Sequence, residues 1–328
     1  MAVYTRIGAE DMAAIVDAFD VGTLLSAKGI AEGVSNSNWL LEAQRGEEEP
    51  RRYILTMYEE RTDVEDLPFF LDLLDHLAAN DCPVPRTIHD REGASHRFHE
   101  GKALALIEFL PGVSVSEPTP GQARSVGAAL AKVHLAAASF PQRRTNTMGL
   151  ARWNQLLTDC GEEGLNLIHP ELARIVRREL TSLTLGWPLG LPEGVVHADL
   201  FPDNVLMLGE EVTGLIDFYF ACTDILAYDV AVTHAAWCFS DDGTRFDPEI
   251  SRALLEGYES VRPLSDEERA ALPLLARAAA MRFLSTRAYD WMNTPEDALV
   301  TPKDPLAFAR RLDFYASAEN RDLFAKEA

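Results

Sequence analysis

Cysteine is scarce in this chain and never closely paired. Cys82, Cys160, Cys222 and Cys238 form no C-x-x-C spacing, which excludes a zinc knuckle or a disulfide scaffold and suits reduced thiols in a cytoplasm. No apolar run reaches the roughly 18 residues that a membrane-crossing helix needs. Glu10 and Asp11 stand where a secretory leader would be apolar, so a soluble, cytoplasmic protein is expected. Positive charge is short as well: 30 lysines and arginines against 52 acids leave a net charge of −22. So acidic a surface repels phosphate backbones and anionic membranes, and neither nucleic acid nor a membrane is an expected partner. No internal repeat or low-complexity tract appears. What remains, 328 residues of which 47% are hydrophobic and 25% charged, is a globular composition long enough for two domains and a cleft.

The most informative stretch is Val195-Val196-His197-Ala198-Asp199-Leu200-Phe201-Pro202-Asp203-Asn204-Val205-Leu206, followed by Gly214-Leu215-Ile216-Asp217-Phe218. Two strand-like runs, Val205 to Leu208 and Gly214 to Ile216, flank a turn at Gly209-Glu210-Glu211, a hairpin that would bring Asp199, Asn204 and Asp217 to one end. Phosphoryl transfer needs this set: a carboxylate to take the proton of an attacking hydroxyl, and an amide with a second carboxylate as hard oxygen ligands for Mg2+. Asp199 precedes Asn204 by the spacing of the kinase pattern D-x-x-x-x-N, and Asp217 stands where kinases place their D-F-G acid. A solvated loop is the bland alternative to any one of these matches. His197 is read as a backbone brace, leaving the chemistry to Asp199.

Upstream, residues 10–19 have helical apolar spacing. Lys28 to Glu42 reads as strand, tight loop and strand, the loop offering backbone N–H groups of Gly33, Val34, Ser35, Asn36 and Asn38 to nucleotide phosphates. Arg52 to Tyr58 is a third strand. Kinases carry their phosphate-pairing lysine there, but Thr56 occupies the position, so phosphate neutralisation must be weaker or come from elsewhere, with Lys28, Arg52 and Arg61 as candidates. An apolar stripe over 63–79 predicts the main helix of this half. A hairpin around Glu100-Gly101 ends at Glu108-Phe109-Leu110, where the backbone of Glu108 and Leu110 could bond adenine. The Pro- and Ser-rich stretch 111–120 marks a boundary between an amino-terminal nucleotide-binding lobe, 1–110, and a catalytic and substrate-binding lobe, 111–328. The second lobe is mainly helical, with helices near 122–137, 151–158, 170–184, 226–239, 249–258, 266–290 and 305–318. His134 reads as a packing residue, since no acid or second histidine accompanies it.

His197-Ala198-Asp199-Leu200-Phe201-Pro202-Asp203-Asn204 resembles the H-G-D-L-H-x-x-N pattern of the aminoglycoside phosphotransferase and choline kinase family, with Ala198 and Phe201 as departures. Gly29 to Asn38, Asp66-Leu67-Pro68-Phe69-Phe70, Leu215 to Cys222, Tyr228-Asp229-Val230-Ala231 and Arg282 to Trp291 are similar to the bacterial homoserine kinases within that family. The resemblance implies an α+β, protein-kinase-like fold and transfer of phosphate from ATP to the hydroxyl of L-homoserine, on the route to threonine. Choline, ethanolamine or an aminoglycoside is the alternative acceptor, and a nucleotide-binding module without catalysis the alternative outside enzymes. A zwitterionic substrate needs a cation for its carboxylate and acceptors for its ammonium. Arg282 and Arg287, about 140° apart on a helix, are candidates for the first; Asp224 and Asp229 are candidates for the second, with Asp229 alternatively bracing the loop.

Overall fold

The computed structural model describes residues 5, 7–30, 36–59, 63–295 and 301–325. The chain divides into two compact units, residues 1–112 with 213–219, and residues 113–212 with 220–328.

The first unit begins with α1 (Ala9–Ala18), followed by β1 (Thr23–Ile30), β2 (Ser37–Gln44), β3 (Arg51–Met57), α2 (Leu67–Ala79), β4 (Thr87–Ile88), β5 (Arg97–His99) and β6 (Lys102–Glu108). The strands form an antiparallel sheet in the order β1-β2-β3-β6-β4, with β5 on β6. Alternation assigns the two faces. Trp39, Leu41 and Ala43 of β2, Tyr53, Leu55 and Met57 of β3, and Leu104 and Leu106 of β6 share one face, buried against Met12, Ile15 and Val16 of α1. Each buried leucine, isoleucine, valine or methionine among them contributes about 1.5–3 kcal/mol. The opposite face carries Leu40, Ile54 and Ile107 side by side in register, all half-buried. Further along, Tyr58, Leu67, Leu71, Ala103 and Ala105 make a second cluster, against which Tyr219 packs.

The second unit starts with α3 (Pro120–Ala136), whose first turn is closed by a Thr119–Gln122 capping box. α4 (Leu150–Ile168) and α5 (Leu172–Gly186) follow; α4 runs well past the predicted 158 because Gly161, at φ +70°, lets the chain kink and resume. Next come β7 (Glu193–Val196), β8 (Val205–Leu208) and β9 (Glu211–Leu215), within which the chain passes back to the first unit, then β10 (Cys222–Ile225). The hairpin turn is shorter than expected: Gly209, at φ +63°, leads almost directly into β9.

α6 (Leu226–Trp237), α7 (Pro248–Glu259), α8 (Asp266–Asn293) and α9 (Leu306–Ala316) complete the unit. Every residue of α6 is buried, the mark of a helix wrapped on all sides. α3 and α7 cross closely because Gly127 and Gly257 bring no side chain; a Cβ at Gly127 would stand 2.1 Å from the Leu254 carbonyl oxygen. Among the described residues no helix is long and apolar enough to cross a membrane.

Candidate active site

In the second unit, β7 pairs antiparallel with β10, Val196 opposite Cys222. After β7 the chain turns through Ala198, whose φ of +63° lies in the left-handed region. A residue with a Cβ occupies that region at a cost of about 1–2 kcal/mol. Groups from two distant helices hold it there. Asp229 of α6 accepts the His197 amide on Oδ2 and the Ala198 amide on Oδ1, both at 2.7 Å. Arg282 of α8 donates through Nη1 to the Ala198 carbonyl. Trp237, at the end of α6, donates to the Leu200 carbonyl at 3.0 Å.

Behind Asp229 lies His134, with Nε2 at 3.0 Å from Asp229 Oδ2 and Nδ1 at 2.8 Å from the Tyr258 hydroxyl. This corrects the expectation that no acid accompanies His134: the acid lies 95 residues further along the chain. Burial pushes the Asp229 carboxyl up, but His134 and His197 outweigh it and hold it below its ordinary 3.8. Wholly buried and with both oxygens engaged, Asp229 has the geometry of a brace.

The loop delivers Asp199 at its open end. Its amide donates to His197 Nδ1 at 3.2 Å, the bracing role read for that histidine. Asn204 Nδ2 donates to the Asp199 carbonyl at 2.8 Å and lies 3.4 Å from its Oδ2. Arg282 Nη2 stands 4.0 Å from Asp199 Oδ1. Burial raises the Asp199 carboxyl above 3.8 while Arg282 and His197 oppose the rise, which makes it a better proton acceptor than an exposed aspartate. Phe201 packs edge-on against Phe283 at 4.8 Å, and its carbonyl accepts the Asn204 amide at 3.0 Å.

Asp224 on β10 accepts Asn146 Nδ2 at 2.6 Å and the Ile225 amide at 2.7 Å, and burial raises its carboxyl. The two arginines diverge, as their spacing requires. Arg282 is 2% exposed and lies over the rings of Phe220 and Phe283, at 5.2 and 4.7 Å. Arg287 donates to the Asp304 carbonyl at 3.2 Å and covers the ring of Phe308 at 4.5 Å.

In the first unit, Thr56 donates to Asn38 Oδ1 at 2.8 Å beside the Leu40–Ile54–Ile107 row. Asn36 Oδ1 accepts the Glu59 amide at 3.3 Å. The Glu108 amide is taken by the Arg86 carbonyl at 2.9 Å, and Leu110 is half-buried. Gly33, Val34, Ser35 and Arg61 lie outside the described residues. Lys28 is exposed, and Arg52 pairs loosely with Glu42 at 3.9 Å. One cation escaped the sequence reading: Lys102 donates to Glu59 Oε2 at 2.5 Å and to Thr5 Oγ1 at 2.7 Å. A lone lysine opening a strand carries no local signal of such a role. Asp217 is an exposed carboxylate at φ +64°. Beside it, the Tyr219 hydroxyl shares a 3.0 Å hydrogen bond with that of Tyr58, and burial pushes it up to about 12.

The profile of the phosphotransferase enzyme family matches residues 26–264. The chain is similar to the homoserine kinase of Xanthobacter autotrophicus, at 49% identity over 98% of each chain. It is also similar to that of Gluconobacter oxydans, at 48% identity over 98% of this chain and 100% of the other. Among solved structures, an amicoumacin kinase in complex with AMP-PNP, Ca2+ and Ami superimposes with a TM-score of 0.70 at 17% identity, covering 94% of this chain and 93% of its own. That likeness establishes the fold as protein-kinase-like.

Proposed function

Because the chain belongs to the phosphotransferase enzyme family, we propose that it is an ATP-dependent homoserine kinase, converting ATP and L-homoserine to ADP and O-phospho-L-homoserine in a cytoplasm. The observation that carries the reaction class is Asn204 fastened to Asp199 at 2.8 Å in a loop braced by Asp229 and Arg282. The acceptor follows the relatives, at 49% and 48% identity over nearly the whole chain. Asp199 takes the proton of the substrate hydroxyl as its oxygen attacks the γ-phosphorus, and the bond from that phosphorus to ADP breaks.

The donor chemistry fits Mg2+. Asn204 spends its amide nitrogen on Asp199, so Oδ1 is the atom available to a cation, and Asp217 supplies an exposed carboxylate. Mg2+ is a hard cation that one or two protein oxygens would hold together with the nucleotide phosphates. When bound, Mg2+ neutralises charge on the transferring phosphate.

The first unit is the nucleotide lobe. Its half-buried Leu40, Ile54 and Ile107 form an apolar slab for adenine, with the backbone of Glu108 and Leu110 at its edge and Asn36, Asn38 and Thr56 as polar neighbours of the nucleotide. Arg282, Arg287, Asp224 and the braced Asp229 belong to the substrate side. A coupled ADP-release assay across L-homoserine, L-serine, L-threonine, choline and an aminoglycoside tests the reading. Turnover greatest on L-homoserine is the expected result, and turnover confined to choline or an aminoglycoside refutes it.

A further inference from the structure

Among the described residues three buried side-chain polar atoms lack a hydrogen-bond partner: Tyr228 Oη, Arg282 Nε and Arg269 Nε. Two of them belong together. Tyr228 precedes the brace Asp229 on α6 and is wholly buried; Arg282 lies near enough to donate to its hydroxyl oxygen and Asp224 acts on it from further off, but the O–H proton itself has no acceptor. A buried donor without a partner costs about 1–3 kcal/mol, so two side by side mark a place where an acceptor belongs.

Arg282 narrows the choice of acceptor. Its Nη1 is spent on the Ala198 carbonyl. Nε is unpartnered and Nη2 stands 4.0 Å from Asp199 Oδ1, so the guanidinium turns an unsatisfied Nε–H and its Nη2 toward the proposed base. That edge matches the two oxygens of a carboxylate. L-homoserine carries its carboxylate about 5 Å from its hydroxyl along four bonds of roughly 1.5 Å. With the hydroxyl on Asp199, the carboxylate therefore falls within reach of the adjacent guanidinium. Asp224, held by Asn146 at 2.6 Å, supplies an anion to the same neighbourhood.

We propose that Asn146, Asp224, Tyr228 and Arg282 form the seat for the charged end of the amino-acid substrate: carboxylate on Arg282 Nε and Nη2 and on Tyr228 Oη, ammonium on Asp224, with Asn146 positioning that acid. This rests on the homoserine reading above, and assigns the carboxylate to Arg282 in preference to Arg287. Tyr228 and Asn146 enter as specificity residues.

Because Arg282 also braces the loop, Tyr228→Phe is the cleaner probe. Steady-state kinetics on L-homoserine and on 3-aminopropan-1-ol, which lacks the carboxylate, separate the roles. Tyr228→Phe is expected to raise KM for L-homoserine about ten- to hundredfold, the scale of a lost hydrogen bond to a charged group. Its penalty on L-homoserine exceeds that on 3-aminopropan-1-ol by about tenfold or more. Equal losses on both alcohols, or none on either, overturn the carboxylate seat and leave a buried water between Tyr228 and Arg282.

Asn146→Ala supplies the second arm and also serves if Tyr228→Phe fails to fold. Its penalty is expected on both amino alcohols and not on 4-hydroxybutanoate, which lacks the ammonium; an equal penalty on all three overturns the assignment. A native enzyme that phosphorylates 3-aminopropan-1-ol but not L-homoserine, or neither, removes the homoserine reading itself and the seat with it.

Discussion

Replacing Asp229 by asparagine changes one atom in the wall behind the catalytic loop. In the native protein Oδ1 accepts the Ala198 amide and Oδ2 the His197 amide, each at 2.7 Å, and Oδ2 also meets His134 at 3.0 Å. A carboxamide has a single acceptor oxygen, so whichever way it turns, its NH2 group confronts a backbone N–H. The loss is one hydrogen bond to a charged group, about 1.5–3 kcal/mol, plus a buried amide left unpaired at about 1–3 kcal/mol, or roughly 2.5–6 kcal/mol together. Part of that cost is relieved if Ala198 leaves its left-handed conformation, but the relief carries Asp199 away from its position. Asp229→Asn is therefore expected to lower unfolding stability by several kcal/mol and, while folded, to lower kcat at least about a hundredfold. Urea denaturation measures the first. Native-state hydrogen exchange at the His197 and Ala198 amides locates it, since those two should lose protection in the variant. The sign with pH is fixed by the depressed native carboxyl: its contribution is complete above the ordinary 3.8 and fades as pH falls through the lower native value, so the gap between native and variant narrows across that window and stays narrowed below it. Native-like stability, exchange and kcat in Asp229→Asn would refute the bracing role.

Asp199→Asn should lower kcat at least about a hundredfold with ATP binding retained; because burial raises the native Asp199 carboxyl, the acid limb of kcat/KM should lie above 3.8, with activity rising as pH climbs through it. A near-native kcat removes Asp199 from the role. Asp217→Ala should weaken nucleotide binding only when Mg2+ is present, which calorimetry with and without the ion measures; equal weakening in both would discard the ligand assignment. Gly257→Ala places a Cβ 2.0 Å from the Arg124 carbonyl oxygen, so α3 and α7 must separate at a cost of about 1–3 kcal/mol; an unchanged denaturation midpoint would contradict the close crossing.

The local half of this protein was legible in its residues. The D-x-x-x-x-N spacing closes on itself, Asn204 reaching the Asp199 carbonyl five positions back, and apolar periodicity alone separates the strands near the amino terminus from the long helices after 120. Capping signals such as Thr119–Gln122 act within one turn, so they too are written locally. The four-residue strands β7 and β10 could not be read that way, because neither is long enough to show a period and each becomes a strand only by pairing with the other. Nor could the fates of Asp229, His134 and Arg282, which meet across 95 and 84 positions of chain at Asp229–His134 and Arg282–Ala198. Sequence names the charged side chains and their order. Which of them is taken out of water, and against which partner, follows from how α3, α6 and α8 pack around the loop, and desolvation by that packing settles which carboxylate becomes a brace and which a base.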